Sequence, residues 1–133
     1  MAEYASRPLL NQDGPFPQQL RALATVTQPK TFGSGSGTLE RLTPVAYNTS
    51  TNKWTVWTHD GTHDTDTIRG FVWPDAVELD SSDDVLGNVM LAGRVHYDDI
   101  VLPYGETESN LQAALRSGPR ELGLTIESLD QVR

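Results

Sequence analysis

The chain has 133 residues, 37% of them apolar, with a net charge of −8 and no cysteine. That size suits one domain with a single modest core. The acidic balance argues against non-specific nucleic-acid or anionic-membrane binding, which needs clustered Lys and Arg, and the missing cysteines remove disulfides and thiolate metal sites.

No run of 18 apolar residues is present, so no membrane span is expected. No basic start followed by an apolar stretch marks a secretory signal. Residues 1–38 carry three bases against two acids, and residues 39–133 carry seven bases against sixteen acids. The first part is electrostatically separate from an acidic body. Pro8, Pro15, Pro17 and Pro29 lack a backbone N–H and favour extended geometry before them. Asp13-Gly14-Pro15 signals a turn, and Gly33-Ser34-Gly35-Ser36-Gly37 has the composition of a flexible linker. The segment still holds Leu9, Leu10, Phe16, Leu20, Leu23 and Val26. Residues 21–27 read as a strand, and residues 18–24 equally as one or two helical turns. Apolar residues ahead of a Gly/Ser hinge suggest an arm that orders by adding a strand to a partner's sheet edge. The bland alternative is a frayed terminus. The chain is thus expected to divide into an arm with its hinge, residues 1–38, and a body, residues 39–133.

Residues 43–58 read as a hairpin. Val45 and Tyr47 alternate, residues 48–52 supply the turn, and alternation resumes with Trp54 and Val56 on one face and Thr55 and Trp57 on the other. His59 to Asp66 is a polar loop. His59, Asp60, His63, Asp64 and Asp66 are all metal-ligand types, but no calcium-loop spacing is completed and Gly61 opposes a helix that would align His59 with His63. A solvated acidic turn with no metal is the expectation. Thr67 to Trp73 alternates as a strand and ends at Pro74. Asp75 to Asp84 contains five acids and no base, which reads as a solvated face. Residues 85–100 read as two strands about a bend at Ala92-Gly93. His96, Asp98 and Asp99 could pair as acid and base, but turn or capping acids fit better without a signalled pocket. Residues 107–117 form the best helix: Thr107 can cap it, and Leu111, Ala114 and Leu115 make its apolar stripe. Gly118 and Pro119 end it, and residues 124–129 alternate as a short final strand. The fold class is therefore α+β, mainly β: a small β-rich body with one C-terminal helix and an extended N-terminal arm.

One pattern runs through the body. It comprises Leu42-Thr43-Pro44, Asn48-Thr49-Ser50 followed by Lys53, Trp57, Asp60-Gly61, Gly70, an Asp/Ser-rich loop, Gly93, His96-Tyr97-Asp98-Asp99-Ile100 and Pro103. In order and spacing it resembles the head decoration protein family of phage lambda. The likeness covers roughly residues 42–129. It implies a structural cement protein that binds as homotrimers to the outer surface of the expanded capsid, at local three-fold positions, and holds the shell against packaged DNA. The implied partner is the major capsid protein, and the implied location is the virion, after synthesis in the host cytoplasm. The resemblance implies no catalytic residue, metal, cofactor, nucleic-acid partner or membrane. The arm lies outside the likeness, so its expected capsid contacts rest on its own apolar residues: Leu9, Leu10, Phe16, Leu20, Leu23 and Val26.

Two other classes compete. Trp54, Trp57, Trp73, Tyr47 and Tyr97 could form the stacking platform of a small carbohydrate-binding module, although aromatics on alternating strands are more often core. His59, His63 and Asp64 could serve a metal-dependent hydrolase.

Overall fold

The structure, a computed structural model, describes residues 25–117 and 124–127. They are mainly β, with one helix towards the C-terminal end. The expected hairpin is present: β3 (Pro44–Asn48) and β4 (Lys53–Val56) pair antiparallel, Val45 facing Val56 and Tyr47 facing Trp54. Asn48 builds its turn, with Oδ1 accepting from the Ser50 and Thr51 N–H groups. Asn52 closes it at a φ of 60°, a left-handed conformation that Asn adopts more readily than most residues.

β5 (Gly70–Val72) is shorter than the expected 67–73 strand and lies between β3 and β7 (Val85–His96). It packs closely on β7. A Cβ at Gly70 would stand 2.5 Å from Val89 Cγ1 and 2.7 Å from the Met90 carbonyl oxygen. The expectation of two strands with a bend over 85–100 is corrected: β7 is one strand of 12 residues. Its partner changes where the bend was expected. β1 (Val26–Phe32) pairs with Val85 to Ala92, and β8 (Leu124–Glu127) runs parallel to Gly93–His96. Gly93 takes a φ of 139°, a region essentially reserved for glycine, so the strand re-aims there without breaking.

The boundary placed at residue 38 is also corrected. Residues 26–32 belong to the body, and Phe32 is completely buried. The Gly/Ser segment is stitched down rather than free: Gly33 N–H donates to Trp54 O at 3.2 Å, Gly35 N–H to Asp80 O at 2.8 Å, and Leu79 N–H to Gly37 O at 3.0 Å. Composition suggested a linker, but β7 needs a partner along its first eight residues and the interior needs a large apolar side chain. Pro29 is tolerated because β1 bridges its other neighbour, β4, only at Phe32–Trp54. The acidic run likewise does more than face solvent. Its five acids are exposed, yet β6 (Val77–Glu78) pairs within it to β2 (Thr38–Leu39) and buries Val77.

The pairings close a ring in the order β1-β4-β3-β5-β7 and back to β1. Strand alternation then sorts side chains to two sides. Phe32, Val45, Trp54, Val72 and Val89, one from each ring strand, fill the inside with Val77. Ala46, Phe71 and Met90, their chain neighbours, point outward and join Trp57, Ile68, Leu111, Leu115, Leu124 and Ile126 in a second cluster. The helix α1 (Glu108–Ser117) covers that outer face through Leu111 and Leu115, both buried. Thr107 caps it, Oγ1 accepting from Asn110 N–H at 3.2 Å. Trp54 and Trp57 thus lie on opposite sides of β4's line, as the alternation required.

Candidate functional site

Four groups of residues were singled out by sequence, and the fold treats each differently. Of the arm residues, Leu9, Leu10, Phe16, Leu20 and Leu23 lie outside the described residues. Val26 opens β1 and is 45% exposed. It stands opposite Ala92, one residue before β7 passes to β8. Whatever precedes Thr25 therefore enters the body at the point where two strands succeed one another along β7.

The five aromatics form no common platform. Trp57 and Tyr97 are buried in the outer cluster with Trp73 packed against it, while Trp54 is buried in the ring interior with Tyr47 packed against it. Tyr47 and Trp54 meet edge to face, with centroids 5.8 Å apart. Lys30 and Arg41 sit over the Trp54 and Trp73 rings, at 5.7 and 5.6 Å, and cover part of what remains. Among the described residues the fully exposed aromatic is Tyr104, which sequence reading passed over. With half-exposed Leu102 it rims an open groove of about 270 Å³ that also takes in Leu39, Val56, Val101 and Pro103.

The His96–Asp98–Asp99 group is local architecture. His96 Nδ1 accepts from the Asp98 N–H at 3.2 Å and caps the 3-10 turn Tyr97–Asp99, while both acids face solvent. Asp80 plays a similar part in the acidic loop. The Ser82 and Asp83 N–H groups both donate to its Oδ1, and these two bonds hold its carboxyl below the ordinary aspartate range.

The His/Asp loop, residues 58–66, is divided. Turns tie it to itself through Gly61 N–H to Thr58 O, Thr65 N–H to Thr62 O, and Thr58 N–H to Thr65 O. The indole of Trp57 donates to Asp66 O at 3.0 Å and roots it in the core. His63 and Asp64, with φ of 56° and 70°, form its left-handed tip, where Thr49 N–H donates to His63 O. Both side chains are exposed. His59 and Asp60 turn instead towards Glu106, 47 residues along the chain from His59. His59 N–H donates to Glu106 Oε2 at 3.1 Å, and its Nδ1 lies 2.8 Å from Oε1. The Glu106 side chain is only 5% exposed, against 44% for His59. Donor atoms of His59, Asp60 and Glu106 all fall within 4.8 Å of one another. The proposed hydrolase set of His59, His63 and Asp64 is thus not the set assembled. Glu106 escaped sequence reading because nothing local links it to residue 59; only the fold brings the two together. Compared with models of known families and with curated proteins, the chain matches none.

Proposed function

We propose that this protein is a structural phage head decoration protein, binding as trimers to the outside of the expanded capsid at local three-fold positions. One observation carries the reading. The scattered residues behind the family likeness occupy the positions that set the body's geometry. Leu42 takes a φ of 69°, donates its N–H to Val72 O at 2.6 Å and accepts from Val101 N–H at 3.1 Å. Asn48 makes the hairpin turn, Gly70 permits the close approach of β5 and β7, Gly93 re-aims β7, and His96 caps the 3-10 turn. Pro103 is buried and accepts from Glu106 N–H at the approach to α1. A resemblance concentrated at such positions is a resemblance of scaffold, and this supports the function that scaffold implies.

The physics of a shell clamp is compatible with the rest. A clamp needs a rigid body, and here a closed strand ring packs on a helix. An acidic outer surface keeps free copies apart. In such a clamp affinity comes from an apolar segment that docks on the finished lattice, a role the proposal gives to residues 1–24 with Leu9, Leu10, Phe16, Leu20 and Leu23. Ordering costs roughly 1–2 kcal/mol per residue in backbone entropy. Strand pairing and apolar burial at ~25 cal/mol per Å² must offset it. Three arms on one trimer bind successively within one complex, which raises avidity without new contacts.

Co-sedimentation with expanded heads of the encoding phage tests the reading. The full chain is expected to pellet with the heads, and a chain lacking residues 1–24 to stay in the supernatant. Equal pelleting of both would remove the arm from the account.

A further inference from the structure

We propose that His59, Asp60 and Glu106 form a site for a divalent transition-metal ion of the zinc class, a feature independent of capsid binding. Three observations meet there. The donor set mixes one imidazole nitrogen with two carboxylates, and their ligating atoms lie within 4.8 Å of one another, close enough for small side-chain rotations to bring them around one ion. The residues come from two separate segments, the loop after β4 and the turn before α1, and each is fixed by its own backbone bonds. Gly61 N–H to Thr58 O braces the first, and Glu106 N–H to Pro103 O braces the second. Third, the Glu106 side chain is only 5% exposed, its two oxygens both meet His59, at the backbone N–H and at Nδ1, and the exposed carboxylate of Asp60 lies beside them. A divalent cation between the two carboxylates would offset their mutual repulsion.

The donor chemistry selects the ion. Calcium takes six to eight oxygen ligands, and magnesium keeps its waters. An imidazole with two carboxylates suits zinc, cobalt or manganese, with water completing the shell. The ion would replace the direct contact between His59 Nδ1 and Glu106 Oε1 with a bond from each atom to the metal. The result is a cross-link between the 58–66 loop and the start of α1, in a chain with no disulfide to do that work.

The test is calorimetric titration of the full chain with zinc chloride, alongside the visible absorption of bound cobalt(II). One ion per chain is expected, together with a rise in thermal midpoint that EDTA reverses. Asp60→Asn, at an exposed position, is expected to weaken binding about tenfold or more, and His59→Ala to abolish it. His63→Ala, which alters an exposed imidazole four residues away, is expected to bind as the parent does. No binding at millimolar zinc would overturn the proposal and leave the group as a histidine–carboxylate pair. So would binding that survives both His59→Ala and Asp60→Asn, or that is lost with His63→Ala.

Discussion

His59 grips Glu106 through two atoms at once: its backbone N–H reaches Oε2 at 3.1 Å, and its ring nitrogen lies 2.8 Å from Oε1. This contact fastens the polar loop after β4 to the turn that launches α1. Glu106→Ala strips the partner from the His59 N–H, so a loss of about 1–3 kcal/mol is expected. Glu106→Gln retains one acceptor and should lose less. Urea unfolding followed by tryptophan fluorescence measures both, and an alanine variant as stable as the parent would show that the contact contributes little.

Gly70→Ala is expected to be among the most damaging single changes in the body. The added Cβ meets Val89 Cγ1 at 2.5 Å and a backbone oxygen of Met90 at 2.7 Å, and the backbone atom cannot swing aside. Overpacking of this kind costs typically 1–3 kcal/mol, and more where backbone must move. Thermal unfolding reads the effect directly. A midpoint unchanged from the parent would mean that β5 and β7 are not held at this separation.

Asp80 links the acidic loop to pH. Its carboxyl is lowered by the Ser82 and Asp83 N–H bonds, so the folded state holds the proton less tightly than the unfolded chain. The turn's contribution is then fully present above the unfolded value and is lost as pH falls through the lower folded value. Carboxyl NMR titration should find Asp80 protonating below the ordinary aspartate range. Asp80→Asn should keep the turn without that pH dependence, since its side-chain oxygen still accepts, whereas Asp80→Ala should lose the turn. Titration of Asp80 at or above the ordinary range would contradict the geometry.

Truncation tests where the body begins. Removal of residues 1–24 leaves β1 complete and is expected to leave the thermal midpoint within a degree or two. Removal of residues 1–38 deletes β1 and Phe32, which fills the ring interior. Loss of that side chain alone forfeits roughly 1.5–3 kcal/mol, before β7 loses its pairing partner. Circular dichroism of the shorter product should show a largely unfolded chain; a native spectrum would return the boundary to residue 38.

Local chemistry was the legible part of this fold. The β3–β4 hairpin, the capped helix and the alternation that parts Trp54 from Trp57 follow from turn residues, a capping threonine and period two. What sequence could not convey were the long-range choices. Val26–Phe32 carries a proline and precedes a Gly/Ser run, both loop signals, and becomes a strand because β7 lies available 60 residues later. Val77 hides among acids and is buried only because β2 returns beside it. The His59–Glu106 contact is of the same kind: half of it was visible as a polar loop, and its partner was an ordinary glutamate ahead of a helix.

The central claim is that the protein clamps a finished shell. Electron microscopy of the purified full chain mixed with heads of the encoding phage, before and after expansion, tests it most directly. Trimeric density at the local three-fold positions of expanded heads, and little or none on unexpanded ones, is the predicted result. Bare expanded heads at saturating protein, or equal decoration of both forms, would contradict it.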